Sequence, residues 1–144
     1  MICKSHINEE ILGEILEPYR CCDPFFKIIN KNKEKIFDIH TDCWQKGISS
    51  RRFSCGKYAE VNFNIYKGNT SGKDMLEQNT FGNIIRRVPK NVEKSVFSDF
   101  DNFEINFPPE ATAEEKLLLL GSTLLIDYRF FEHQSTYKRS AYLY

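Results

Sequence analysis

The chain has 144 residues, enough for one domain with a hydrophobic core and short for two. Its 20 basic and 20 acidic residues cancel, which argues against a general nucleic-acid binder, because that class needs an excess of Lys and Arg. The 12 Phe and 7 Tyr favour a β-rich fold. The five cysteines are odd in number and no apolar signal segment precedes them, so we expect reduced thiols in a reducing compartment.

Short strands separated by turn residues are predicted for most of the chain before residue 99. The first ten residues are polar and are expected to be frayed. Residues 30–33 (Asn-Lys-Asn-Lys) lie between two apolar runs and predict the turn of a hairpin. The clearest strand is 58–66, where Val61, Phe63 and Ile65 alternate with polar side chains. The spacing indicates an antiparallel sheet or barrel, with strands at 11–16, 25–29, 35–40, 50–55, 58–66, 81–88 and 92–97.

A strongly apolar helix is predicted near the end of the chain, after a Pro-Pro break. Thr112 and Glu115 form the capping-box pattern that marks a helix start. The residues from 117 to 131 are apolar nearly all round the helix, so we expect it to be buried on every side within a sheet. Asp127 and Arg129 interrupt this run, which is therefore too short to span a bilayer. The predicted core residues of the helix are Leu117, Leu120, Leu124, Leu125, Ile126 and Phe130.

Two motifs follow one another in this part of the chain: DxDNFxIxFP at 99–108 and LGxxxLIDYxFFE at 120–132. In order and spacing they resemble the C-terminal part of the phospholipid scramblase family. The resemblance is best over 99–132 and extends with less force over 11–132, so 1–144 is interpreted as one domain matching about the second half of the family domain. It implies a Tubby-like fold, in which an antiparallel β-barrel surrounds a hydrophobic C-terminal helix. With about seven strands, we expect a β-rich (α+β) partial barrel with open edges.

The resemblance also implies a function. Family members are expected to move phospholipids between membrane leaflets in a calcium-activated, ATP-independent manner. The chain would then be membrane-associated, on the cytoplasmic side of the plasma membrane, with phospholipids as partners and a second copy as a possible partner at the open sheet edge. The alternative is a lipid-binding or protein-interaction module of the same fold that does not scramble lipids. A third interpretation, a nuclear regulator, would use the basic pair Arg86 and Arg87.

The segment 99–110 has the length of a calcium-binding loop, and calcium is the one cofactor that we predict. The pattern fits this use poorly, because the fifth position has no side-chain oxygen and Glu104 stands where a sharp turn needs glycine. The alternation of apolar and polar residues between Asn102 and Phe107 favours a plain strand preceded by an acidic turn. The candidate calcium ligands are Asp99, Asp101, Phe103, Ile105 and Glu110.

Two residue pairs are candidates for contact with a membrane. Cys21 and Cys22 stand where some family members are palmitoylated, and two adjacent acyl chains would suit stable anchoring. Arg86 and Arg87 could meet anionic lipid headgroups, although an ordinary solvated basic face is the favoured interpretation.

No enzymatic site is predicted. His6, His40 and His133 have no evident catalytic partner, and the chain has no Gly-rich phosphate loop of the G-x-x-x-x-G-K type. The combination of His40, Cys43 and Cys55 matches no usual zinc spacing and has no obvious fourth ligand, so we expect these to be thiols and a surface imidazole.

Overall fold

The computed structural model describes residues 1–4, 10–19, 23–45, 48, 60–68, 80–87 and 102–131. These residues form a single antiparallel sheet and one helix. The seven strands lie side by side in the order in which they occur in the chain, and the sheet curls into a half-barrel that holds the helix. This arrangement confirms the predicted partial barrel around a C-terminal helix. The elements are β1 (Ile2–Lys4), β2 (Ile11–Leu16), β3 (Phe25–Asn30), β4 (Lys35–His40), β5 (Val61–Lys67), β6 (Gly82–Arg87), β7 (Asn102–Asn106) and α1 (Ala113–Phe130).

The β3–β4 hairpin has the turn that the sequence predicts. The side-chain oxygen of Asn30 accepts hydrogen bonds from the backbone N–H groups of Asn32 and Glu34, both at 2.9 Å. Lys33 has φ 65°, the left-handed conformation that closes such turns. Local side-chain chemistry therefore fixes this turn, as is usual for Asn-rich connections.

The alternation predicted for β5 is confirmed. Val61, Phe63 and Ile65 are fully buried, whereas Asn62 and Asn64 on the opposite face are half-buried. Neighbouring strands continue the same inner face, because apolar residues stand opposite one another in the register. The inner face of the sheet is thus one apolar surface, formed mainly by Ile15, Phe26, Ile28, Phe37, Ile39, Val61, Phe63, Ile65 and Ile84.

The N-terminal residues depart from the prediction. Residues 2–4 form a strand instead of a frayed segment, with Ile2 opposite Glu14 in β2. The backbone N–H of Ile15 donates to the carbonyl oxygen of Met1 at 2.8 Å, and the Met1 ammonium donates to the carbonyl oxygen of Ile15 at 2.6 Å. Pairing with an existing strand outweighs the weak local preference here. The strands predicted at 50–55 and 92–97 lie outside the described residues.

The helix begins as predicted. The Thr112 hydroxyl accepts from the backbone N–H of Glu115 at 3.3 Å, and the Glu115 carboxylate accepts from the backbone N–H of Thr112 at 2.7 Å. Two buried hydroxyls within the helix, those of Ser122 and Thr123, donate to backbone carbonyls one turn earlier. The buried face of α1 is therefore free of an energetic penalty from these two polar groups.

Candidate functional site

One face of α1 fills the half-barrel. Leu118, Leu119 and Ile126 are buried against the inner face of the sheet, mainly on β2 and β3. At the end of the helix, the Phe130 ring lies 6.0 Å from the ring of Phe26, in an edge-to-face arrangement. Of the core residues predicted for this helix, Ile126 is fully buried, and Leu125 and Phe130 pack partly against the core.

The opposite face of α1 is apolar and exposed. Leu117 is 53% exposed, Leu120 46%, Leu124 64% and Tyr128 58%. Their spacing of three, four and four residues places them in one row along the helix, which we call the outer stripe. The prediction that Leu117, Leu120 and Leu124 are core residues is therefore wrong. The physical reason is that the sheet covers one side of the helix, and nothing in the described part of the chain covers the other.

The outer stripe borders the edge strand β1. A Cβ atom placed on Gly121 would lie 3.1 Å from the Cys3 sulfur and 3.4 Å from the terminal carbon of Met1, so the helix approaches β1 closely at this glycine. Met1 and Ile2 are both about half exposed. The Cys3 thiol is partly buried beside Gly121 of the helix, and this burial raises the pKa of the thiol. The exposed apolar surface of the helix thus continues to Met1 at the sheet edge, whereas strand alternation points Ile2 to the opposite face of β1 from Cys3.

Within the described ranges, no helix combines the length and the apolar character that crossing a bilayer requires.

A cavity of about 570 Å³ opens beside the first turn of α1. Its walls combine apolar side chains with charges of both signs. Two lysines line the cavity. The Lys35 ammonium forms an ion pair with the buried Asp38 carboxylate at 2.9 Å, and the Lys67 ammonium lies 5.9 Å from the centre of the Phe81 ring. Such a mixture can hold a small zwitterionic group, with the anion near the lysines and the cation near the carboxylates. The residues that line this cavity include Lys35, Lys67, Phe81, Glu110 and Glu115.

The structure does not assemble the predicted calcium loop around Phe103 and Ile105. Both residues lie in the extended strand β7, where Ile105 stands opposite Ile84 and the Phe103 ring lies 5.9 Å from the ring of Phe131. Their use as loop ligands is wrong, because a strand paired along its length cannot coil around a cation. Glu110 is exposed beside the cavity. The candidate ligands Asp99 and Asp101 lie outside the described residues.

Arg86 and Arg87 point to opposite faces of β6. Arg86 is only 6% exposed, and its guanidinium lies 4.4 Å from the centre of the Phe131 ring. Its prediction as a headgroup contact is therefore wrong, because strand alternation places it on the inner face. Arg87 is exposed and bonds to Glu104 at 2.8 Å and to Glu60 at 3.2 Å. The Arg87 hydrogen bond lowers the pKa of Glu104, and Arg87 itself has a raised pKa for the same reason.

The lipidation candidates Cys21 and Cys22 lie outside the described residues. Sequence reasoning missed the outer stripe and the cavity. The signal for the stripe was present in the spacing of its four residues, but the buried face formed by Leu118, Leu119 and Ile126 has a similar spacing. The cavity is lined by residues from β4, β5 and the start of the helix, and no local sequence pattern predicts that these segments come together.

Comparison with known proteins gives a consistent result. A family model described as Scramblase matches residues 2–133. The chain is 28% identical to human phospholipid scramblase 1 over 121 residues, which cover 84% of this chain and 33% of that protein. It is 30% identical to human phospholipid scramblase family member 5 over 123 residues, covering 85% and 39%, and 27% identical to bovine phospholipid scramblase 2 over 121 residues, covering 84% and 36%. The chain therefore spans about a third of the length of these relatives. No solved structure gives a significant match.

Proposed function

This chain belongs to the scramblase family, and from that premise we propose that it binds phospholipids at a membrane surface and moves them between leaflets. The observation that carries this proposal is the exposed apolar row Leu117, Leu120, Leu124 and Tyr128. The function is lipid movement and not a chemical reaction, so the protein is not an enzyme. Residues 1–144 act as one domain that corresponds to about the second half of the family domain.

The outer stripe supplies a physical reason for membrane contact. Burying an exposed leucine side chain in an apolar phase is worth about 1.5–3 kcal/mol, and the stripe presents three of them in one row. A helix with one apolar face in contact with lipid lies in the membrane interface, parallel to the surface. The inner face stays packed on the sheet, so the half-barrel keeps its fold while the stripe enters the interface.

The cavity beside the first turn supplies a place for a headgroup. Lys35 and Lys67 would face the lipid phosphate, and Glu110 and Glu115 would face an ammonium group. The cavity lies beside the first turn of the same helix, but Glu115 and Leu117 are two residues apart and point to nearly opposite sides of it. The headgroup cavity and the lipid-contacting stripe are therefore proposed as two separate contacts.

We further propose that calcium activates lipid movement and that ATP is not consumed. Asp99 and Asp101, which precede β7 in the sequence, are the oxygen ligands proposed for Ca²⁺, whereas the extended strand β7 separates Glu110 from them. Independence from ATP is proposed from membership of the scramblase family alone.

The proposed location is the cytoplasmic side of the plasma membrane, with S-acylation of Cys21 and Cys22 strengthening the attachment. Hydroxylamine-sensitive labelling with a palmitate analogue in cells tests this, with Cys21→Ser/Cys22→Ser as the unlabelled comparison. Label that persists in the double variant would refute acylation at these two sites.

A leaflet-exchange assay tests the main proposal. The purified chain is reconstituted with vesicles containing a fluorescent phospholipid, and a membrane-impermeant quencher reports the outer leaflet, with and without Ca²⁺ and ATP. We expect exchange with Ca²⁺ alone, and a strong decrease for Leu120→Asp/Leu124→Asp. Leu16→Asp, which changes an exposed leucine at the end of β2, is the matched control. Exchange that is absent from wild-type protein, or equal in both variants, would refute the proposal.

The second candidate is a lipid-binding or protein-interaction module that does not scramble lipids. The observation in its favour is the pair of sheet edges that have no neighbouring strand in the described part of the structure. In the described ranges, β1 and β7 each pair on one side only, so a second copy can extend the sheet at either edge. Vesicle binding without leaflet exchange would select this candidate, and sedimentation equilibrium would show whether a second copy is present.

A further inference from the structure

Three metal-ligating side chains converge at the end of the β3–β4 hairpin that lies opposite its turn, and the His40 imidazole lies beside one of them. One ligand atom from each of Asp23, Asp42 and Cys43 lies within 4.8 Å of the other two. The Nε2 atom of His40 lies 3.9 Å from a carboxylate oxygen of Asp23. Asp23 precedes β3, whereas the other three residues come from the end of β4 and the loop that follows it. The fold thus joins two chain segments whose ligands are separated in sequence.

The backbone of this cluster is fixed by contacts that do not use the four ligand side chains. The Thr41 backbone N–H donates to the carbonyl oxygen of Pro24 at 3.2 Å, and its hydroxyl donates to the carbonyl oxygen of Asn62 at 2.7 Å. The Gln45 side chain forms hydrogen bonds with the Thr41 hydroxyl and with both backbone groups of Asn62. The loop after β4 is therefore held against β5, and the ligands are presented by a rigid frame.

The chemistry of the four groups selects a borderline transition metal. A thiolate, an imidazole and two carboxylates form a donor set typical of Zn²⁺, whereas Ca²⁺ and Mg²⁺ prefer oxygen ligands alone. Zinc bonds of about 2.0–2.3 Å place tetrahedral ligand atoms roughly 3.3–3.8 Å apart. The ligand atoms of Asp23, Asp42 and Cys43 must therefore approach one another by about 1 Å, and the His40 side chain must rotate toward Asp42 and Cys43 to complete the site. Side chains of Asp23 and His40 are 43% and 24% exposed, which leaves room for that movement and for entry of the ion.

We propose that Asp23, His40, Asp42 and Cys43 form a zinc-binding site. The site is independent of the lipid-contacting stripe and does not rest on the proposed function. Binding would tie the segment before β3 to the loop after β4 and stabilise this end of the hairpin, because the metal binds only when the four groups are together. The sequence alone gave no fourth ligand for His40 and Cys43, and the structure supplies Asp23 and Asp42.

Calorimetric titration of the whole reduced chain with Zn²⁺ tests the site, together with the midpoint of thermal unfolding. We expect one ion per chain and a higher midpoint with zinc. Cys43→Ser and Asp23→Asn should each weaken binding at least about tenfold. Cys3→Ser removes a thiol elsewhere in the fold and should leave binding unchanged. Co²⁺ in place of Zn²⁺ should give a thiolate-to-cobalt charge-transfer band that Cys43→Ser abolishes.

Cys21 and Cys22 adjoin Asp23 in the sequence and provide the decisive comparison. Cys21→Ser/Cys22→Ser should keep the zinc affinity and the cobalt band. Loss of both in this variant, with no effect of Cys43→Ser, would overturn the proposal, as would the lack of any stoichiometric zinc binding by wild-type chain. Asp23→Asn changes a partly exposed group and should fold, so it reports on binding even if Cys43→Ser is unstable; circular dichroism confirms the fold of each variant.

Discussion

The two faces of α1 are alike in sequence and opposite in environment. Leu118 and Leu119 are buried in the half-barrel, whereas their neighbours Leu117 and Leu120 are about half exposed. The difference comes from the sheet, which covers one side of the helix. An apolar helix face therefore indicates that the face can be buried, but it does not identify what the face packs against. The inner face should contribute to stability and the outer face to binding, and the following predictions separate these roles.

The largest expected effect is on the inner face. Leu119→Ala leaves a cavity against the sheet and should lower the free energy of unfolding by about 2–5 kcal/mol. Leu120→Ala, one residue later on the outer stripe, should change it by no more than about 0.5 kcal/mol. Urea unfolding followed by circular dichroism measures both variants. Equal losses would show that the outer stripe is also packed against protein in solution.

The next effect is on lipid binding by the outer face. Leu124→Asp removes an apolar contact worth about 1.5–3 kcal/mol, so affinity for phospholipid vesicles should fall roughly 10- to 150-fold. Co-sedimentation with vesicles measures the affinity, and Leu16→Asp is the matched exposed control. Unchanged binding by Leu124→Asp would exclude the stripe as the lipid contact, and urea unfolding should show that this variant keeps its stability.

A smaller effect is expected at the start of the helix, where both faces begin. Thr112→Ala removes the hydroxyl that accepts from the Glu115 backbone N–H and should cost about 0.5–2 kcal/mol. Glu115→Gln retains a side chain that can complete the capping box and should be milder. Urea unfolding ranks the two, and the reverse order would mean that the Glu115 charge, and not the cap, stabilises the first turn.

The smallest effect concerns an ion pair on the outer face of the sheet, away from both helix faces. Arg87 lowers the folded-state pKa of Glu104 below the unfolded value of about 4.3. The contribution to stability is therefore complete above that value and is lost as the pH falls through the lowered pKa. Unfolding measured from pH 6 downward should show a weak loss that disappears in Arg87→Ala and shrinks in high salt. A pH profile identical in both proteins would contradict this role.

The sequence predicts the parts of the fold that depend on local chemistry. The hairpin turn at Asn30, the alternation around Phe63 and the Thr112 cap all arise from residues close together in the chain, and all are confirmed. The sequence did not predict edge strand β1, because pairing with β2, and not the local sequence, holds these residues in a strand. The position of Arg86 follows only from the register of β6, since either face of that strand could point inward until its partners are known.

The candidate sites were harder to predict for the same reason. Asp23 and Cys43 meet only because β3 and β4 pair in one register, and the cavity requires three separate segments. The exposure of Leu124 depends on how much of the helix circumference the sheet encloses. The spacing of the stripe residues shows that they share one helix face, but whether that face is exposed, and whether the other two features form, is decided by contacts between residues far apart in the sequence.

The order of the strands has a consequence for how the chain folds. Each strand pairs with its neighbour in the chain, so the sheet can grow one hairpin at a time, with modest loop-closure entropy at each step. The helix that fills the half-barrel follows all seven described strands. During synthesis, the strands leave the ribosome before α1 does, so the apolar inner face of the growing sheet is open to chaperones or to aggregation until α1 emerges and packs against it.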